Sequence, residues 1–399
     1  MKKTKPIENS VINGDSVDVL KTIPNTSVNL VYLDPPFFTQ KTHSLRSREN
    51  GEEYSFDDKF SSLDEYLNFI EKTLIECKRI LKKDGSIFLH CDKTASHYLR
   101  IILDKIFGAD NFKNEIIWSY RRWSNSKKGL LNSHQVIFFY TITNKYKFNT
   151  IYTDYSPTTN LDQILQERER NELGVSVYKK DENGTPVQVK SKQGVPLSDV
   201  WEIPFLNPKA KERTGYPTQK PVLLLNQIIQ IASNEGDIIL DPFCGSGTTC
   251  VSAKLLNRKY IGIDISAKAI ELTNKRLEDM TISTSKLVEN GKHSYIEKTK
   301  EEINILSEIN AFPVQRNSAI DGFMKESLTP VKILKVCNNL DAIINKLNTF
   351  CIKGKHDKII IVQTSYLPQN VLNKILVNFT VIKSLAYQLQ ECSTVSKAQ

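Results

Sequence analysis

The chain has 399 residues, 40% of them hydrophobic and 25% charged, a balance that suits one large soluble core with an appended module. No apolar run approaches the roughly 20 residues that a membrane-spanning helix needs, and the basic start Met1-Lys2-Lys3 leads into no apolar signal core, so membrane insertion and secretion are not expected. The formal charge of +9 points to a polyanionic partner only weakly, and seven cysteines without a CxxC pair read as reduced cytoplasmic thiols rather than disulfides or a zinc site.

In chain order, Val28–Leu33 is an apolar run of strand length closed by Asp34-Pro35-Pro36. Ser62 with Glu65 forms a capping-box pattern, and Leu63, Tyr66, Leu67, Ile70, Leu74, Cys77 and Leu81 then recur on one helical face. The group Lys82-Lys83-Asp84-Gly85 is expected to stop that helix. A strand over Ser86–His90, a helix over Ala95–Phe107 and two aromatic-rich strands over Glu115–Tyr120 and Gln135–Ile142 follow. Between about Thr153 and Arg213 the pattern gives way to a polar stretch. Alternation then resumes with a helix over Val222–Ala232, a strand over Asp237–Leu240, a helix over Thr248–Leu256, a strand over Tyr260–Ile263 and a helix over Ala267–Leu277. This order predicts an α/β fold with a doubly wound, mostly parallel sheet from which the polar insert projects.

Five expected strands end in an acid: Asp15, Asp34, Asp92, Asp241 and Asp264. Turn-forming aspartates are common after strands. Ligands of open parallel sheets also bind at the carboxyl ends of strands, and a set of five acids on one edge points to a ligand rich in donors. Asp241-Pro242-Phe243-Cys244-Gly245-Ser246-Gly247-Thr248-Thr249 joins a strand to a helix, where glycines let the backbone approach a ligand and the helix start offers free amides. A phosphate loop needs a lysine before its Ser/Thr, and none precedes Thr248. A dinucleotide fingerprint wants a third glycine where Cys250 stands. A methionine-sulfonium cofactor remains, with Asp264 placed to accept from ribose hydroxyls.

In Asp34-Pro35-Pro36-Phe37 the prolines fix φ and supply no amide hydrogens, so the Asp34 side chain and the Pro35 carbonyl present rigid acceptors. Two acceptors suit an NH2 group on a flat ring, on which Phe37 can stack. Drawing both amine hydrogens out of the ring plane frees the nitrogen lone pair for in-line attack on a sulfonium methyl, without a metal. A base within a duplex reaches such a pocket only by flipping out.

Together these motifs resemble the S-adenosylmethionine-dependent DNA amino-methyltransferases of restriction-modification systems, in the permuted beta-class order. There the DPPY/F motif precedes FxGxG, as Asp34–Phe37 precedes Phe243–Gly247 here. The resemblance covers about residues 9–280 and implies a Rossmann-like, circularly permuted methyltransferase sheet. It implies that Asp15, in Asn13-Gly14-Asp15-Ser16, contacts the cofactor adenine, and that Thr218 and Lys220, in Tyr216-Pro217-Thr218-Gln219-Lys220-Pro221, hold the methionine end. Asp241, Phe243, Gly245, Gly247, Thr248 and Asp264 complete the cofactor set. Trp118–Trp123 and His134 resemble the segment that lines the flipped-base pocket. A leading Asp goes in this family with adenine N6, and a leading Ser with cytosine N4. The expected substrate is therefore adenine in double-stranded DNA, the alternatives being cytosine N4, RNA, or a non-catalytic DNA-binding subunit that keeps the fold.

The expected organisation is a catalytic half over residues 1–152, a target-recognition region over 153–213, a cofactor-binding half over 214–280 and an accessory module over 281–399. In the recognition region Arg168, Arg170, Lys179, Lys180, Lys190 and Lys192 suit phosphates and guanine edges. The segment Gln40–Asp58, carrying Lys41, His43, Arg46 and Arg48, is expected either to close over DNA or to be a disordered loop. Strands over Pro330–Val336 and Lys358–Val362 and a helix over Leu340–Leu347 give a small α/β module, suited to DNA contact, homodimer formation or partner binding. A cognate restriction endonuclease reading the same site is the other partner that the resemblance implies. Asp321 and Glu326 do not make the strand-placed acid, acid and lysine of a metal-dependent nuclease, and His90 and His97 near Cys91 read as structural, so no metal site is expected.

Overall fold

The computed structural model describes residues 8–46, 53–120, 129–153, 166–184, 187, 194–206, 210–281, 298–315, 317–335 and 339–395. The chain divides into two compact units, Met1–Val288 and Glu289–Gln399.

The first unit is built on an eight-stranded sheet. Its first half comprises β1 (Ser10–Asn13), α1 (Ser16–Thr22), β2 (Val28–Leu33), the hairpin β3 (Thr42–Arg46) and β4 (Glu53–Asp57), α2 (Leu63–Ile80), β5 (Leu81–Cys91), α3 (Ser96–Phe107), β6 (Phe112–Ser119) and β7 (His134–Thr141). Four short strands follow: β8 (Tyr152–Thr153), β9 (Arg168–Arg170), β10 (Ser176–Tyr178) and β11 (Val195–Pro196). The unit closes with β12 (Val200–Glu202), α4 (Val222–Ala232), β13 (Ile238–Asp241), α5 (Thr248–Leu255), β14 (Lys259–Asp264) and α6 (Ala267–Glu278). The main sheet runs β1-β14-β13-β2-β5-β7-β6-β12, parallel except where β7 pairs antiparallel with β5 and β6.

Every residue of β2 is buried because the sheet is covered on both sides. Val31 and Leu33 face a core shared with α1, α2 and α3, while Leu30 and Tyr32 face a second core shared with α4 and Trp201. That double burial is why β2 reads as an unbroken apolar run rather than an alternating one. β13 lies directly beside β2, with Ile239 opposite Leu30 and Leu240 opposite Val31. Segments some two hundred residues apart in sequence therefore end side by side on one sheet edge.

The structure departs from the sequence expectations in several places. α2 ends at Ile80 and Leu81 already begins β5, so Lys82–Gly85 lies in a strand rather than a helix stop. Gly85 sits where the β2–β5 register shifts, and a Cβ there would lie 2.9 Å from the Lys82 carbonyl oxygen and 3.0 Å from that of Asn29. Ser62 caps α2 by accepting from the Glu65 amide at 3.1 Å, but Glu65 accepts from the amide and hydroxyl of Ser61 rather than returning to Ser62. The segment Gln40–Asp58 carries the β3–β4 hairpin. It is tied down by the Gln40 side chain, which bonds both backbone groups of Phe60, and by Tyr54, buried against Tyr216. Within the expected recognition stretch β12 returns to the main sheet beside β6, and the Trp118 indole donates to the Ile203 carbonyl at 2.7 Å.

The second unit carries a five-stranded sheet made of β15 (Ala311–Pro313), β16 (Gly322–Met324), β17 (Pro330–Leu334), β18 (Lys358–Gln363) and β19 (Asn378–Lys383) in sequential order. The first three strands are antiparallel and the last three parallel, with the helix Leu340–Gly354 connecting β17 to β18. Asp321, just before β16, is buried between the ammonium groups of Lys298 and of Lys332 on β17. Glu326 lies exposed in the turn between β16 and β17. Among the described residues no helix is long and apolar enough to cross a membrane.

Ser62→Ala is expected to lower the unfolding free energy of the first unit by about 1 kcal/mol through loss of the cap, measurable by urea denaturation.

Candidate active site

The acids at the strand ends meet. Asp15, Asp34, Asp92, Asp241 and Asp264 all line one cavity of about 710 Å³, a volume in the range of small-molecule sites. Four of them also make the local turn bonds that strand-end aspartates ordinarily make. Asp15 caps α1 by accepting from the Val17 and Asp18 amides, and Asp92 accepts from the Thr94 amide at 2.9 Å. Asp241 accepts from the Phe243 amide at 3.0 Å, and Asp264 from the Ser266 amide at 2.8 Å.

Asp34 is the exception, for a covalent reason. Its next two residues are prolines, so the amide two positions on that would close such a turn does not exist. The Phe37 amide donates instead to Asp58 at 3.1 Å, and the Thr39 hydroxyl donates to the other Asp58 oxygen at 2.9 Å. One oxygen of Asp34, Oδ2, pairs with the Lys220 ammonium. The other, Oδ1, is buried without a hydrogen-bond partner among the described residues.

Behind Oδ1 lies a polar set drawn from three strands. The His90 ring is fully buried, with Nδ1 2.8 Å from the Tyr32 hydroxyl and Nε2 3.0 Å from Gln135 Oε1. With Gln135 as acceptor, Nε2 carries the ring hydrogen and Nδ1 accepts from Tyr32. The 3.8 Å between Nδ1 and Asp34 Oδ1 is thus an approach of two acceptors, not a bond. Burial and then the Lys220 charge push the His90 pKa well below its usual value, so the ring is neutral. Burial raises the Asp34 pKa, and Lys220 opposes that rise.

Phe37 lies 6.1 Å from the His90 ring, and the Lys220 ammonium lies 5.6 Å from the Phe37 ring centre. Pro35, Pro36, Phe37, Thr218 and Lys220 all line the cavity with Asp34. Across it stand Phe243, Gly245 and Thr248, with Phe243 packed on Phe69 at 5.8 Å. Gly245 has φ +51°, and a Cβ there would meet the Tyr216 ring at 3.1 Å. Its amide donates to Asp264 at 2.9 Å, which fastens the glycine loop to the end of β14.

Gly247 does not line the cavity. It precedes α5 at φ +75°, and a Cβ there would lie 2.3 Å from the Thr273 methyl, so this glycine serves the contact with α6. Cys250, where a third glycine was sought, faces Gly262 of β14. A Cβ at Gly262 would meet the Cys250 sulfur at 2.7 Å, so the strand provides the room that the helix does not.

Of the aromatic segment, Tyr120 and His134 line the cavity. Trp118 is buried in the second core, and Arg121, Arg122 and Trp123 lie outside the described residues. Tyr216, from the Tyr216–Pro221 motif, also lines it, as do Asp58, Tyr32 and Gln135, which belong to no motif in the sequence. In the insert, Arg168 stacks on Tyr178 at 4.8 Å and Lys179 pairs with Glu167 at 3.2 Å; Arg170 and Lys180 are exposed. Lys190 and Lys192, like Arg48, lie outside the described residues.

The profile of the DNA methylase family matches residues 28–275. The chain belongs to this family. A second profile, for a methyltransferase domain, matches residues 233–380. Among curated proteins, the methylase is 33% identical to the Type II methyltransferase M.HinfI of Haemophilus influenzae over 280 residues, 68% of this chain and 69% of that one. It is 29% identical to M.HpaI of Haemophilus parainfluenzae over 326 residues, 81% of this chain and 92% of that one. It is 32% identical to the DNA adenine methyltransferase YhdJ of Escherichia coli over 272 residues, 67% and 82% of the two chains. The protein is an S-adenosylmethionine-dependent methyltransferase of DNA. The cavity fits that cofactor: it offers acids for hydroxyl and amine donors, a glycine loop open to close approach, and a lysine for a carboxylate.

Burial raises the Asp241 pKa to about 7, against hydrogen bonds from Thr249 and Phe243 that lower it. Between the ordinary carboxylate value and about 7 the folded protein holds a proton that the unfolded chain has lost. Stability therefore falls as pH rises through this window, by up to about 1.4 kcal/mol per pH unit from this group. Asp241→Asn, which can still accept from Phe243 and bond Thr249, is expected to raise the melting temperature of the cofactor-free protein at pH 8, with a gain that shrinks steadily toward pH 5 in thermal scans. Gly247→Ala is expected to cost roughly 3 kcal/mol from positive φ and the Thr273 clash together, read by the same scans.

Proposed function

We propose that the methylase transfers a methyl group to the exocyclic N6 amine of adenine in double-stranded DNA, as the modification partner of a restriction endonuclease reading the same site, in the beta-class motif order. The observation that carries this reading is Asp34. It is a carboxylate denied its usual turn bond by two prolines, held through Oδ2 by a lysine ammonium instead of a backbone amide, in one cavity with the glycine loop of the neighbouring strand. The order of Asp34–Phe37 before Phe243–Gly247 supports the beta-class assignment. The Type II names of M.HinfI and M.HpaI support the restriction-modification setting, and the name of YhdJ supports adenine.

S-adenosylmethionine, when bound, supplies an electrophilic methyl group. Asp34 and the Pro35 carbonyl accept the two amine hydrogens and draw them from the ring plane, so the nitrogen lone pair turns toward that methyl. Phe37 gives the flipped base an aromatic face. Asp58 keeps the loop in place by accepting from Phe37 and Thr39. Asp264 and Asp15 accept from ribose and adenine donors of the cofactor, and Gly245 lets the backbone pass close to it. The basic residues Arg168, Arg170, Lys179 and Lys180 of the β9–β10 hairpin contact DNA phosphates and base edges.

The test is transfer of labelled methyl groups to unmethylated DNA, followed by nucleoside analysis. The expected product is N6-methyladenine; N4-methylcytosine would overturn the base assignment. Asp34→Ala is expected to lose transfer by at least about a hundredfold, the scale of a lost acid–base or electrostatic contact, while still binding cofactor. Equal activity in both proteins would remove Asp34 from its role.

A further inference from the structure

We propose that Lys220 is shared between the two halves of the site: the Asp34 carboxylate and the methionine carboxylate of the cofactor compete for its one ammonium, so cofactor binding releases the oxygen that the target amine needs. This rests on the reading of Asp34 as the amine acceptor and extends it to the order of events.

The main chain of Lys220 belongs to the cofactor side. Its carbonyl accepts from the Thr248 hydroxyl at 3.2 Å, at the start of α5 just beyond the glycine loop, and Pro221 directly after it is the last residue before α4. Its ammonium lies on the catalytic side, on Asp34 Oδ2 and beside the Phe37 ring. One residue thus bridges the two motifs. Lys41 and Lys93 also line the cavity but are exposed, whereas the Lys220 side chain is only 8% exposed.

The two oxygens of Asp34 are not equivalent. Oδ1 is buried, 3.8 Å from the accepting nitrogen of His90. With Oδ1 buried, Oδ2 is the oxygen left to meet an incoming donor, and Lys220 holds it. An ammonium has no acceptor capacity, so while it sits there an incoming amine finds a donor where it needs an acceptor. A ligand carboxylate that draws Lys220 away removes that donor. The same pairing favours the ionised form of Asp34 in a site whose burial opposes it.

Competition for one cation has a signature separate from activity. Titration calorimetry on the full chain would use S-adenosylhomocysteine, which has the carboxylate but an uncharged sulfur, and 5′-methylthioadenosine, which lacks the amino-acid part. Asp34→Asn frees Lys220 and is expected to tighten S-adenosylhomocysteine about fivefold or more, the lower range of measured couplings, and to leave 5′-methylthioadenosine unchanged. In a Lys220→Met background the gain should vanish. Unchanged S-adenosylhomocysteine affinity, an equal gain for both ligands, or a gain that survives Lys220→Met would each overturn the proposal. Should Lys220→Met not fold, the comparison of the two ligands in Asp34→Asn decides alone. A wild-type chain that binds neither ligand overturns the methylase reading as well, whereas binding without coupling overturns only this one.

Discussion

The site depends on the pairing of β2 with β13. Each strand delivers one motif to its carboxyl end, and the parallel register between them puts the proline-flanked acid and the glycine loop on the same edge. Neither strand could do this alone, since each motif supplies half of a two-reactant site. The double burial of β2 between two cores makes the pairing rigid: a slip by one residue would exchange Leu30 and Tyr32 for Val31 and Leu33 on the wrong faces.

A second constraint follows from that shared edge. Gathering carboxylates where the sheet is best shielded from water makes each of them harder to ionise. Burial raises the pKa of Asp34, Asp241 and Asp264 alike. The protein meets this locally, with backbone amides on Asp241 and Asp264 and an ammonium on Asp34. The difference between these solutions separates roles: an acid satisfied by its own turn is held in place, whereas an acid satisfied by a movable side chain can change partner.

Much of this was legible in the sequence where the signal is local. The apolar run of β2, the stepped face of α2, the helix Val222–Ala232 and the acids closing each strand all depend on periodicity or nearest neighbours, and the structure contains them. The capping box at Thr299 and Glu302, which opens the helix Lys300–Glu308, is a local signal of the same kind. What sequence could not supply were contacts between distant residues. Asp58 holds a loop 21 positions away, Lys220 reaches an acid 186 positions away, and His90 is positioned by Tyr32 and Gln135 from two other strands. No local pattern marks a residue whose function is to touch something far along the chain. The polar insert was hard to read for the opposite reason: its strands are two or three residues long, too short for any period to show.

The exchange between Cys250 and Gly262 has a consequence for reading relatives of this fold. Close seating of a helix on a strand needs one small residue at the point of contact, and either partner can supply it. Position 250 is free to carry a sulfur because position 262 carries only hydrogen. The two sites therefore share a single volume, and sequences that enlarge one are expected to shrink the other. A search keyed to glycine on the helix alone would pass over chains that meet the same steric demand from the strand.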